Sequence, residues 1–297
     1  MSENFDDDAA KRHLKAVATV ATRLDTNTFD GGVVWYAWGA GPPVILLHGG
    51  SGSWNHWIHT IPFLSDGYRV LAADIPGLGD SPTPHEPHSI EKVATIISDC
   101  IDQLIPNETA FDLVGFSFGG LVGGQIAIRQ ARRISRLIIV GSPPFGLGHV
   151  NPAHHITPFK SAWTFAQALP VHRNNLEILM IANPAKVDAL AIRIHHDNLC
   201  RSRLRTRKLA RTNSLHKALQ KTACVVHGIW GEKDVTVYPD FDTIRELFAS
   251  THPDSTFDVL PDTGHWAAYE NPVAFNELLR RRLGDHSLAN NRSTKTR

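Results

Sequence analysis

The spacing of apolar and polar positions changes several times along the chain, and each change predicts an element. Residues 44–47, 69–73, 111–114 and 137–140 are short, mostly apolar runs. Runs of that length read as strands buried on both faces, the pattern of central positions in a parallel sheet. Between them the period shifts to helical. Ser89 stands as an N-cap before a helix ending near Leu104, with Val93, Ile96, Ile97 and Ile101 on one face. Residues 54–63 and 121–132 predict two further helices. Nearer the start, residues 17–25 and 33–38 are β-rich and flank Phe29-Asp30-Gly31-Gly32, which predicts a hairpin turn.

The alternation of strand and helix predicts an α/β fold with a mostly parallel sheet and right-handed crossovers. It stops after Gly141. Residues 143–221 carry helical patterns and no clear strand; strands resume at 224–230 and 256–260, with helices near 240–248 and 272–283. The chain therefore divides into a polar N-terminal tail (1–16, mobile or a short helix at 8–15), a core (17–142 and 222–284), a helical insertion or cap (143–221) and a polar, basic C-terminal tail (285–297).

Composition narrows the function by exclusion. The 297 residues carry a net charge of +1, which gives no field for nucleic acid or membrane lipid. No apolar run reaches the ~18 residues of a membrane span, and the acidic start lacks a signal-peptide core. Cys100, Cys200 and Cys224 are few, odd in number and widely spaced, so neither a disulfide framework nor a zinc site is expected. Those features predict a cytoplasmic protein with a small-molecule partner and no metal or other cofactor; nothing indicates a homo-oligomer. The pairs His154-His155 and His195-His196 do not change this, because adjacent side chains diverge and no third ligand is spaced to join them.

Chemistry enters at the ends of the strands. Gly115-Phe116-Ser117-Phe118-Gly119 is a G-x-S-x-G between a predicted strand and a predicted helix. In that context the pattern is a nucleophile elbow, with the serine hydroxyl presented at the sheet edge and the helix N-terminus behind it. A free serine hydroxyl needs an adjacent base. His265, just past the last strand, can supply one, since an imidazole takes and returns a proton near neutral pH. Asp234, just past the strand that follows the insertion, can hold its tautomer; Asp262, three residues before His265, is the competing acid. The glycine-rich loop after residues 44–47, His48-Gly49-Gly50-Ser51, lies at the same edge, where ligands bind in open α/β sheets. By position, the backbone N–H groups of Gly50 and Phe118 are the oxyanion donors, and Gly49, Ser51 and Phe116 belong to the substrate wall. That loop is not a phosphate cradle, as no Lys-Ser, Lys-Thr or G-x-G-x-x-G accompanies it. Asp74 and Ser81 read as groups that bond loop backbone.

The order Ser117, Asp234, His265, with HGG at 48–50, D-x-P-G-x-G-x-S at 74–81, WGEKD at 230–234 and GHW at 264–266, resembles the α/β-hydrolase superfamily over about residues 17–283. The resemblance implies an eight-stranded core with a helical cap inserted after the sixth strand, and a serine hydrolase of a small ester. The GHW stretch also resembles the carbon–carbon hydrolases of meta-cleavage products. That likeness implies Trp266 packed on substrate and Arg193, with Arg201 as the substitute, holding a substrate carboxylate. Phe116 departs from it, standing where that family commonly has Asn. A non-catalytic hydrolase-like receptor is the reading from another class. The segment 192–221 holds nine Lys or Arg and one Asp. If it is helical, Arg201, Arg205 and Lys208 share one face and Arg203, Arg207 and Arg211 another, so most of these charges are solvated.

Overall fold

The computed structural model describes residues 6–147 and 156–284. The expected C-terminal tail and the His154-His155 pair lie outside that set. Chain order begins with helix α1 (Asp7–Thr19), strands β1 (Thr22–Thr28), β2 (Gly31–Trp38) and β3 (Pro43–Leu47), a 3-10 turn (Trp54–Trp57) and helix α2 (Ile61–Leu64). Strand β4 (Arg69–Asp74), helix α3 (Ile90–Leu104), β5 (Phe111–Phe116), α4 (Phe118–Arg129) and β6 (Ile134–Val140) follow. The insertion holds α5 (Phe165–Leu179), α6 (Ala189–Cys200), α7 (Thr206–Leu209) and α8 (Ser214–Leu219). The chain then returns to the core with β7 (Val225–Gly231), α9 (Phe241–Ala249), β8 (Thr256–Leu260), α10 (Ala267–Glu270) and α11 (Pro272–Leu283).

The eight strands form one sheet in the order β1-β2-β4-β3-β5-β6-β7-β8. β2 pairs antiparallel with β1 and β4, and all later pairings are parallel. The apolar runs fill both faces of this sheet. Ile45, Leu47, Leu71 and Leu113 belong to the core on one side, with α3 and α4; Val44, Leu46, Val70 and Val114 belong to the other, with α11. Period-two alternation within an all-apolar strand supplies both layers at once.

Three local expectations differ from the fold. The first β-rich run begins as helix: α1 runs through Val17 to Thr19, capped by Asp6, which accepts the Ala9 N–H at 2.7 Å. Ala10 is buried on that helix, with Leu14, Val17 and Ala18 packed beside it, so the tail is a docked element. Residues 54–63 do not make one helix, because Pro62 lacks the N–H that would continue it; they split into a 3-10 turn and α2. The basic segment after Cys200 is irregular except for the short α7, so the two continuous helical faces expected at 201–211 do not exist.

Candidate active site

Ser117 sits at the turn between β5 and α4 with φ +51° and ψ −114°, outside the conformations that L-residues prefer. The elbow is this tight because its glycines let backbones touch. A Cβ on Gly119 would lie 2.4 Å from the Leu47 carbonyl oxygen, and one on Gly115 would lie 2.6 Å from that of Gly119. The turn aims the Ser117 hydroxyl at His265, with Oγ 3.0 Å from Nε2. On the other side of the ring, Nδ1 lies 2.9 Å from Asp234 Oδ2. The second carboxylate oxygen of Asp234 is also occupied: it accepts the Thr236 N–H at 2.8 Å and the Thr236 hydroxyl at 2.7 Å. With both oxygens used, the carboxylate is fixed in rotation and holds the imidazole with Nδ1–H toward Asp234 and the Nε2 lone pair toward Ser117. The competing acid is far from this arrangement in chemistry: Asp262 is exposed and pairs with Lys233 at 2.7 Å.

The His265 loop is tied down by Glu270. Its buried carboxylate accepts N–H bonds from Gly264 (2.7 Å), Ala182 (3.0 Å) and Asn183 (2.8 Å), which joins the loop to the insertion. Across the site, His48 holds the glycine-rich loop: Nδ1–H donates to the Gly49 carbonyl at 2.7 Å while Nε2 accepts the Ile75 N–H at 2.9 Å. His56 Nδ1 accepts the Gly49 N–H at 3.3 Å. Burial pushes the His48 imidazole down to about 4 and holds His56 well below its ordinary value, so both act as neutral scaffold. Asp74 and Ser81 do bond loop backbone. Asp74 accepts the N–H groups of Trp54 and Asp80, each at 2.8 Å, and the Ser81 hydroxyl donates to the Asp74 carbonyl. Held this way, Gly50 faces Phe118: a Cβ on Gly50 would stand 3.8 Å from the Phe118 Cβ. Among the described residues, neither backbone N–H donates a hydrogen bond within the protein.

A cavity of about 560 Å³ opens at Ser117 between the strand ends and the insertion. Gly49, Gly50, Ser51, Phe116, Phe118 and His265 line its floor; Leu147, Leu179, Met180, Leu199 and Ala210 form much of its roof. The Phe116 ring packs 5.0 Å from the His265 ring and covers apolar wall. Two expected wall residues are elsewhere. Trp266 is fully buried, donating its indole N–H to the His56 carbonyl at 2.9 Å and stacking on Tyr269 at 4.3 Å. Arg193 turns away, because α1 brings an acid to it: Asp7 accepts from Nε and Nη2 at 2.7 and 2.8 Å, Asp197 from Nη1 at 3.0 Å, and the guanidinium lies 3.9 Å over the Phe165 ring. Arg201 is likewise engaged, with Asp80 at 3.0 Å. The cations that do line the cavity are Arg207 and Arg211, which helical periodicity assigned to the opposite face. Sequence reasoning also missed His56, Thr206 and Thr236, and weighed His195 only as half of a metal-ligand pair. Only Thr236 carried a local signal, as Asp-x-Thr favours a side-chain turn onto the backbone two residues on.

The sheet order, the strand-end site and the elbow define a class of protein. The chain has the α/β-hydrolase fold, and the model of that fold matches residues 42–186. A 2-hydroxy-6-oxo-2,4-heptadienoate hydrolase of Pseudomonas putida is 38% identical over 177 residues, covering 58% of each chain. A pimeloyl-[acyl-carrier protein] methyl ester esterase of Vibrio campbellii is 36% identical over 110 residues, 37% of this chain and 41% of that protein. Each match thus spans less than two thirds of the relative's length. Among solved structures, naproxen esterase from Bacillus subtilis superposes with a TM-score of 0.69 at 20% identity, covering 94% of this chain and 99% of that one. A meta-cleavage product hydrolase superposes with a TM-score of 0.68 at 23% identity, covering 87% and 96%. Those two likenesses concern the fold.

Proposed function

We propose that this chain is a serine hydrolase of small carboxylic esters. One observation carries the reading: an unbroken hydrogen-bonded line from Ser117 Oγ through His265 to Asp234, at the floor of a mostly apolar cavity. In the proposed reaction the Ser117 oxygen bonds to the ester carbonyl carbon while its proton passes to His265 Nε2. The carbonyl π electrons move onto oxygen, where the Gly50 and Phe118 N–H groups receive the charge. Collapse of the tetrahedral species breaks the ester C–O bond, and the leaving oxygen takes the proton from His265. Water then repeats the sequence on the acyl-enzyme and frees Ser117. Asp234 stays ionised and stabilises the imidazolium formed in each half. The insertion covers the strand ends, excludes water and shapes the acyl and alcohol sites. Among the described residues no helix is long and apolar enough to cross a membrane, and the three cysteines are free, which supports a cytoplasmic setting.

The names of the meta-cleavage relatives favour carbon–carbon hydrolysis as a second reading. Against it, Phe116 offers no amide to a dienolate, and Arg193 is committed to Asp7 and Asp197. The test has two parts. A fluorophosphonate should modify one serine, found by peptide mass spectrometry at Ser117; no adduct would revive a non-catalytic role. Kinetics should then show turnover of a short p-nitrophenyl ester. A specificity constant about a hundredfold higher for a 2-hydroxy-6-oxo-dienoate, equivalent to about 2.7 kcal/mol of transition-state binding, would reverse the ranking in favour of carbon–carbon cleavage.

A further inference from the structure

The segment from α6 to α7 fastens the insertion onto the glycine-rich loop. Asn198 is buried between them, accepting the Ser53 hydroxyl at 2.8 Å and donating to Asn55 at 2.8 Å. Ser202 and Ser51 join their hydroxyls at 3.1 Å. Arg203 donates from its backbone N–H to the Gly77 carbonyl at 2.8 Å and from its guanidinium to the carbonyls of Gly79 (3.0 Å) and Ser81 (2.6 Å). These bonds end at Thr206, the first residue of α7. Its hydroxyl oxygen lies 2.8 Å from the point a Cβ on Gly50 would occupy, so it stands directly over the loop that supplies one proposed oxyanion donor.

Thr206 is buried, 6% exposed as a residue, and lines the cavity together with Gly50 and Phe118. Among the described residues its hydroxyl makes no hydrogen bond within the protein, while every other polar side chain of this fastening named above is paired. It does not bond back along its own helix, because the residues before it are not helical. An enclosed hydroxyl that opens only on a ligand cavity is satisfied by what enters the cavity.

We propose that the Thr206 hydroxyl donates a third hydrogen bond to the substrate carbonyl oxygen, beside the Gly50 and Phe118 N–H groups. This rests on the esterase reading. It makes the insertion a contributor to transition-state stabilisation, whereas the sequence places no reacting group there. Its proton stays on Thr206 Oγ1 throughout; only the hydrogen bond shortens as charge develops on the carbonyl oxygen.

The experiment compares Thr206→Val, which keeps the shape and removes the hydroxyl, with Thr206→Ser, which keeps the hydroxyl. The substrate is a short p-nitrophenyl ester, and the tetrahedral adduct is probed with an aryl trifluoromethyl ketone. The expected result for Thr206→Val is a kcat lower by about ten- to a hundredfold, KM within about twofold, and trifluoromethyl ketone inhibition weakened by a factor close to that in kcat. Thr206→Ser should recover most of both. A Val variant with wild-type kcat, or a Ser variant as impaired as Val, would overturn the proposal in favour of a solvent-bonded or packing threonine. Should Val fail to fold, Thr206→Ala takes its place against Ser. Exhaustive fluorophosphonate labelling of Ser117 separates the two readings. Labelling that persists in the variants keeps a failure confined to Thr206, and no labelling in the wild type would sink the esterase reading itself.

Discussion

At the scale of single residues, two aspartates near His265 look interchangeable in sequence and are opposite in structure. Asp234 is buried, with one oxygen on His265 Nδ1 and the other on Thr236. Asp262 is solvent-exposed, has φ +51°, pairs with Lys233 and donates its backbone N–H to the Glu232 carboxylate. A buried carboxylate controls the imidazole tautomer, whereas an exposed ion pair contributes little. Asp234→Asn should therefore lower kcat on an ester by about 10⁴-fold. Asp262→Asn should stay within about twofold of wild type, since only a screened surface pair is lost. Steady-state kinetics on the two purified variants decide the matter, and the reverse ranking would move the acid to Asp262.

At the scale of elements, α1 changes the meaning of the basic insertion. Docked through Ala10, Leu14 and Val17, with the Val17 carbonyl accepting the Trp38 indole N–H at 2.9 Å, it carries Asp7 to Arg193. The arginine that a carboxylate-bearing substrate would use instead ties the N-terminal helix to α6. Arg193→Ala removes a two-pronged ion pair and a ring contact, which should reduce unfolding free energy by about 2 kcal/mol in urea titrations. The same variant should leave the ratio of ester to dienoate specificity constants unchanged. A tenfold shift in that ratio, about 1.4 kcal/mol, would return Arg193 to the substrate site.

At the scale of the whole molecule, buried imidazoles couple stability to pH. Burial holds His48 at about 4 and His195 at about 3, and keeps His56 well below its ordinary value. Their folded pKa values lie below the unfolded one, so between about pH 6.5 and 4 the unfolded chain binds protons that the folded chain refuses. Stability present above that window is lost as pH falls through it. Asp74 works in the opposite sense: burial raises it to about 7, so it contributes stability at low pH that is lost as pH rises toward 7. Three rings outweigh one carboxyl, and the urea midpoint should fall steadily from pH 6.5 to 4.5. A midpoint that stays level or rises across that range would show that these rings titrate freely in the folded protein.

The strands, their burial on both faces and the elbow were legible in the sequence because each rests on local rules. An apolar run in a parallel sheet, a serine between two glycines at a strand end, and a cap such as Ser89 need no distant partner to be recognised. The fold class, the order Ser117, Asp234, His265 and the helical character of the stretch between β6 and β7 could be read from those rules, although Leu215 and Leu219 of α8 pack into the core beside α4. Tertiary structure decided everything that depends on what comes near from elsewhere in the chain. The β-rich look of Val17 yielded to helix because the apolar side of α1 found a surface to cover. Trp266 and Arg193 left the cavity because His56, Asp7 and Asp197 offered partners that sequence distance concealed. Arg207, Arg211 and Thr206 reached it because the segment after Cys200 is held on an irregular path by bonds to residues 51–81 before the short α7 begins. Side-chain direction in such a segment follows its anchors and has no period of its own.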